Sequence, residues 1–252
     1  MPARYNNADV VAIGDFKNMP KITEVYCENG SQYVTITDNK GFQWTTNVVN
    51  GSANEPGIKA IYLPNTMRSI GAYAFYCCRK LEHITLNDNI THIGRNAFSG
   101  KLSGDGEGGL AITMQLHLSE LPYQLNSLGS MAFRYGGPNI TLTSLPNGLN
   151  KLENQVFTEC EGLKIAQLGD FGVALSEIDT FAFYGCEQKV STLIIAPSIT
   201  HIASSGDSVH GLSLAYSSSA LQKVESYSAS YQTRESLQAV GLTGNYDFEY
   251  IE

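Results

Sequence analysis

The chain contains no run of 18 apolar residues, so no transmembrane helix and no membrane insertion are expected. Charge is scarce as well. Asp, Glu, Lys and Arg make up 16% of the 252 residues, against roughly a quarter in ordinary soluble domains. The balance is acidic, with 16 basic and 24 acidic residues and a net charge of −8. No basic run exists, which argues against a nucleic-acid partner, because backbone phosphates need clustered Lys and Arg. Five cysteines are present: Cys27, Cys77, Cys78, Cys160 and Cys186. An odd, sparse set does not form a disulfide framework. The pair Cys77-Cys78 is adjacent rather than spaced, so no metal centre is expected. There is no G-x-S-x-G elbow and no P-loop, so neither an enzyme nor a cofactor is expected. The N-terminus MPARYNNADVV lacks a charged segment followed by an apolar one, so it does not read as a secretory signal.

What the chain does have is a phrase that recurs. ITHIGRNAF at 90–98 repeats MRSIGAYAF at 67–75. Further copies place Phe anchors at Phe75, Phe98, Phe133, Phe157 and Phe183, separated by 23, 35, 24 and 26 residues. Ala precedes the Phe in four copies and Val156 in the other. Five residues before each Phe stands an aliphatic: Ile70, Ile93, Leu128, Leu152 or Ile178. Three residues after it, Cys78, Cys160 and Cys186 appear in three copies. The template is L-x-x-I-x-L-P-x-x-[IML]-x-x-I-G-x-x-A-F-x-x-C. Its I-x-L piece has the period of a strand with one buried face. Pro64, Pro122 and Pro146 end that strand. The A-F-x-x-C piece fits a short helix or 3₁₀ turn. One coil cannot bury its own apolar residues, but stacked coils share a continuous core.

This pattern resembles the BspA-type leucine-rich repeat family. The resemblance is carried by Ile70-Gly71 with Ala74-Phe75-Cys78, by Ile93-Gly94 with Ala97-Phe98, and by Ile178 with Ala182-Phe183-Cys186. It extends over residues 58–225 and weakens at Glu153, where Gly is usual. After Ile202, Leu214-Ala215-Tyr216 stands in for the A-F step. The resemblance implies a β-rich α/β repeat: a right-handed leucine-rich-repeat solenoid of short parallel strands with helical or 3₁₀ turns. It also implies surface or secreted proteins of host-associated bacteria, some of them adhesins.

The reading is a single domain over 1–252. Residues 1–57 form an N-terminal cap, 58–225 the repeats and 226–252 a C-terminal cap. Ile13-Gly14-Asp15-Phe16 looks like a shortened copy, making 1–27 a degenerate coil. A hairpin insert at 31–49 turns at Asp38-Asn39-Lys40-Gly41. Tyr246–Tyr250 alternates and reads as a closing strand. Three segments read as mobile rim inserts: the Gly-rich stretch 104–109, residues 204–213, and the Ser-rich 217–230.

Candidate functional residues each have a plain alternative. Cys78, Cys160 and Cys186 read as a buried ladder, since the repeat sets their position. His92 and His201, both in ITHI, read as solvated strand positions, as do His83 and His117. Asp105 and Glu107 could offer oxygen ligands to calcium, but two carboxylates in a flexible loop match no calcium motif. Asp207, Ser208 and His210 are close in sequence, which rarely yields triad geometry. What remains is surface. Outward positions of the first strand, aligned across coils, are Tyr62, Thr85, His117, Thr141, Ile194 and Glu225. Such a face could bind a protein or glycan on a host or bacterial surface, and the resemblance implies a place at the cell surface or secreted. The alternative is a structural subunit of a larger assembly such as a phage virion, with Trp44 on the hairpin as its docking residue and an obligate assembly partner.

Overall fold

In the computed structural model, side chains are described for residues 63, 67–76, 78, 81–100, 113–170, 175–204 and 210–252. At 4–5, 8–9, 12–13, 21–28, 31–37, 43–49, 60–62, 205 and 209 only the backbone is described. The Gly-rich stretch with Asp105 and Glu107, the residues Asp207 and Ser208, and the side chains of Tyr62 and Trp44 lie outside this set.

A full coil supplies up to two short strands. The first strands pair in parallel, Ala60–Tyr62 with His83–Thr85, then Gln167–Leu168, Thr192–Ile195, Lys223–Ser226 and Asp247–Tyr250 in order. A parallel bridge between Leu118 and Ile140 occupies the middle of this stack. The second strands form two parallel sets. One joins Ala12–Ile13, Ser69–Ile70, His92–Ile93 and Ser127–Leu128. The other joins Lys151–Leu152, Glu177–Ile178 and His201–Ile202. Pairing is parallel because each coil brings the chain back to the same starting side. The architecture is the expected β-rich leucine-rich-repeat solenoid, with parallel strands and little helix.

The period-2 pattern decides what faces inward. Thr192–Ile195 and Lys223–Ser226 alternate half-buried and buried residues. On the second strands, Ile70, Ile93, Leu128, Leu152, Ile178 and Ile202 all point into the core. The Phe anchors form a continuous pile. Phe75, Phe98, Phe133, Phe157 and Phe183 stack with centroid separations of 5.2, 5.3, 5.7 and 5.9 Å. Full burial of each ring contributes about 1.5–3 kcal/mol before entropy is charged.

The turn at each Phe shows how the repeat is held. Its hydrogen bonds run i→i+3, as in Ala97 N to Gly94 O and Ala132 N to Gly129 O. That is the 3₁₀ bond pattern, but no helical run follows. The residue two before each anchor is left-handed: Tyr73, Asn96, Met131, Gln155, Phe181 and Leu214 have φ of 59°, 53°, 60°, 57°, 57° and 50°. A left-handed non-Gly residue costs about 1–2 kcal/mol. The cost is offset by bonds to the next coil. Tyr73 N donates to Arg95 O, Asn96 N to Ser130 O, Met131 N to Asn154 O and Gln155 N to Thr180 O. Leu214 shares the conformation, with Ala215 and Tyr216 buried beside it, so Leu214-Ala215-Tyr216 does occupy the A-F step.

The glycine of I-G has a packing reason. A Cβ on Gly94 would lie 2.5 Å from Ala72 N, and one on Gly129 2.5 Å from Arg95 N. The coils approach too closely there for any side chain. In later coils Glu153, Asp179 and Ala203 take the equivalent place.

Both ends depart from the repeat. Ala12–Ile13 pairs in parallel with Ser69–Ile70, so Ile13 sits in register with Ile70. Lys21–Glu28 then leaves the coil pattern and pairs antiparallel with Ser31–Thr37, which pairs antiparallel with Gln43–Val49. At the other end Thr233 caps the short helix Arg234–Gln238 through a capping box with Ser236. Leu237, Val240, Leu242 and Tyr246 close the core, and Arg234 lies 4.9 Å from the Tyr246 ring centroid. The last strand is legible in the alternation at 246–250, whereas the short helix is not.

The Ser-rich segment is corrected by the structure. It is not a rim insert along its length: Lys223–Ser226 is a sheet strand, and Ser226 and Ser228 are fully buried. The strand period turns Ser226 inward. The Ser228 hydroxyl donates to Ile199 O, which removes the penalty of burying it.

Candidate functional site

The outward face of the first-strand sheet carries the candidate residues, and hydrogen bonds set its register. Tyr62 pairs with Thr85. His117 N donates to Glu82 O at 2.9 Å, which sets His117 beside His83 rather than beside Thr85. Leu118 pairs with Ile140, and Thr141 N donates to Leu118 O at 2.8 Å, so Thr141 lies beside Ser119. The single row expected from sequence is therefore two. One runs Tyr62, Thr85, Ser119, Thr141. The other runs His83, His117, Asn139. The imidazoles of His83 and His117 are both exposed and stack with centroids 5.5 Å apart and planes at 25°.

Farther along, Ile194 pairs with Glu225, and both are half-buried. Glu225 is committed to an ion pair. Lys223 Nζ lies 2.7 Å from Glu225 Oε1 and 2.9 Å from Glu249 Oε2. Hydrogen bonds to Glu225 and Glu249 hold the Lys223 ammonium well above its ordinary pKa. The face thus divides into an uncharged part built on Thr85, His117 and Thr141 and a charged part at the C-terminal end.

Two features were not visible in the sequence reading. A shallow groove of about 470 Å³ opens beside Thr143, lined also by Ser144, Asn147, Gln167 and Asp170. It forms between coils, so no single repeat encodes it. Tyr123 is 72% exposed on the turn after Pro122, and its N–H donates to Asp88 Oδ1 at 3.2 Å. It occupies an unconstrained template position, matching Asn147 of the next coil, which lines the groove.

The thiol ladder is buried as expected. Cys78, Cys160 and Cys186 are free and shielded from solvent. Cys160 Sγ donates to Phe133 O at 3.1 Å and Cys186 Sγ to Phe157 O at 3.0 Å, each reaching one coil back. Burial pushes both thiols well above their ordinary pKa, which suppresses the reactive thiolate.

The histidines of ITHI divide. His201 is exposed, in register with Glu177. His92 is not the solvated residue expected. It is half-buried between Ser69 and Ser127, and burial lowers its pKa. His92 lies on an inner strand of its set, whereas His201 lies on the last strand of its set. Of the sequence-adjacent trio, only His210 is described. It is half-buried, and its backbone N–H donates to Ser213 Oγ. Among the described residues, no three His, Cys, Asp or Glu side chains converge on one point.

A stack of parallel-stranded coils with a Phe pile and a Cys ladder defines a solenoid repeat protein. The description BspA type Leucine rich repeat region matches six copies, over residues 52–103 and 113–241, and the chain belongs to that family. Among solved structures, a leucine-rich repeat protein from Bacteroides ovatus is 21% identical, with 95% of this chain and 69% of that one covered and a TM-score of 0.39. One from Eubacterium ventriosum is also 21% identical, covering 73% of this chain and 49% of that one, with a TM-score of 0.36. A leucine rich cell surface protein from Faecalibacterium prausnitzii is 14% identical, covering 91% and 95%, with a TM-score of 0.28. No curated protein matches the chain.

Proposed function

We propose that this chain is a non-enzymatic recognition module, surface-displayed or secreted by a bacterium, that binds a protein or glycan on a host or bacterial surface. Membership of a repeat family supports a repeat-based binding module. The observation that carries the site is the uncharged outward face. Thr85, His117, Ser119, Thr141 and Thr143 are all exposed there, and the first charge beside them is Lys164, set next to Thr143 by the bond from Lys164 N to Leu142 O. Hydroxyl and imidazole groups offer hydrogen bonds without the desolvation cost of charge. The groove at Thr143 and the exposed Tyr123 lie at the same end of the strands and add an aromatic anchor.

The test is direct. The purified chain is screened against a glycan array and a panel of matrix proteins and bacterial surface preparations. Binding is then repeated with a Thr85→Arg/Thr141→Arg variant, whose substitutions sit on exposed positions and leave the core intact. Loss of binding with unchanged melting temperature supports the reading. Full retention of binding removes the strand face as the site, and absence of any binding counts against the module itself.

A further inference from the structure

We propose that His83 and His117 together form a two-imidazole site for a divalent transition metal ion on the outward sheet face. The pair comes from strands 34 positions apart in sequence, brought side by side by the bond from His117 N to Glu82 O. Both rings are exposed, and neither makes a hydrogen bond or ion pair among the described residues. Their ring nitrogens are therefore available as ligands, and neutral imidazole is the commonest protein ligand for such ions.

The geometry is within reach. A zinc–nitrogen distance of about 2.0–2.1 Å requires two ligating nitrogens no more than about 4.2 Å apart. From ring centroids 5.5 Å apart, the site requires the two rings to turn about their side-chain torsions, a change of rotamer that exposed residues make in ps–ns. The flanking outward positions, Thr85, Ser119, Asn139 and Thr141, carry no charge that would repel a cation. With two protein ligands, the remaining coordination positions belong to water. Imidazole selects late first-row ions, so affinity should rise from Ni²⁺ to Cu²⁺ and fall again at Zn²⁺. The site stands on the geometry of the pair and does not depend on the recognition reading.

The experiment is calorimetric titration of the tag-free full chain with Cu²⁺, Ni²⁺ and Zn²⁺ chlorides, each alone. Variants His83→Ala, His117→Ala and His201→Ala are titrated alongside. The expected result is one saturable site with Cu²⁺ bound most tightly. Removing either member of the pair should weaken it by at least about tenfold, the lower end of what losing even a supporting residue costs a metal site. His201→Ala, at an exposed histidine outside the pair, should leave it unchanged. Electron paramagnetic resonance of the Cu²⁺ form should show two imidazole nitrogens, and one in either pair variant. Binding that survives both pair variants, binding lost equally in His201→Ala, or no saturable binding overturns the proposal.

Discussion

The Phe pile makes a quantitative claim about how energy is distributed along the stack. If each coil contacts only its neighbours, energetic coupling between anchors should die after one step. Phe133 lies between Phe98 at 5.3 Å and Phe157 at 5.7 Å, and all three rings are fully buried. Phe→Ala at these positions would cost about 3–5 kcal/mol each. A double variant would then consume most of a typical stability of about 5–15 kcal/mol. Phe→Leu is the better perturbation. It removes about three carbons, each contributing about 0.8 kcal/mol, so each single variant should cost about 2–3 kcal/mol. Stacked rings add about 0.5–1.5 kcal/mol beyond area burial. Urea denaturation followed by circular dichroism, on the singles and doubles, gives the cycle. The Phe133/Phe157 and Phe98/Phe133 cycles should each return a coupling of about 0.5–1.5 kcal/mol. The Phe98/Phe157 cycle, with Phe133 intact between them, should return less than about 0.5 kcal/mol. A Phe98/Phe157 coupling as large as the adjacent ones would refute the nearest-neighbour picture.

Two further predictions follow from local geometry. Gly94→Ala should destabilise by about 1–3 kcal/mol, because its Cβ would meet backbone rather than a side chain that can yield. Glu153→Ala, at the equivalent place in a later coil, should change stability by no more than about 0.5 kcal/mol, and equal melting temperatures for the two would sink the argument. Burial depresses the folded pKa of His92 below its ordinary 6.5, so the unfolded chain binds that proton more readily. Its stabilising effect is complete above 6.5 and is lost as pH falls through 6.5 toward the folded value. Melting temperature should therefore drop with acidification partly through His92. His92→Gln should flatten that slope and His201→Gln should not, as melts between about pH 8 and 5 would reveal.

The repeat was legible because its packing rule is local. The aliphatic five before Phe is buried in every described coil, the Ala or Val one before it in all but the Ala74 copy, and the Cys three after it in the three copies that carry one, and each position can be read from one copy. Leu214-Ala215-Tyr216 was legible for the same reason, although it lacks the Phe. The Ser-rich segment misled because composition suggested solvent, whereas the strand period turns Ser226 inward without a hydrogen-bond partner for its hydroxyl and Ile199 O accepts the hydroxyl of buried Ser228. His92 and His201 occupy the same phrase yet differ in exposure, which the phrase alone does not encode.

The sequence by itself determined the solenoid, its two-strand coil and the ladders of Phe and Cys, because each follows from spacing within one repeat and the need to share a core. Only the tertiary structure decided the sideways relations between coils. The pairing of His83 with His117, the split of the outward row, the groove at Thr143 and the backbone approach that requires Gly94 and Gly129 all depend on how one coil is displaced against the next. That displacement is set by inter-coil hydrogen bonds and by inserts of unequal length between copies, and neither leaves a periodic trace in the chain.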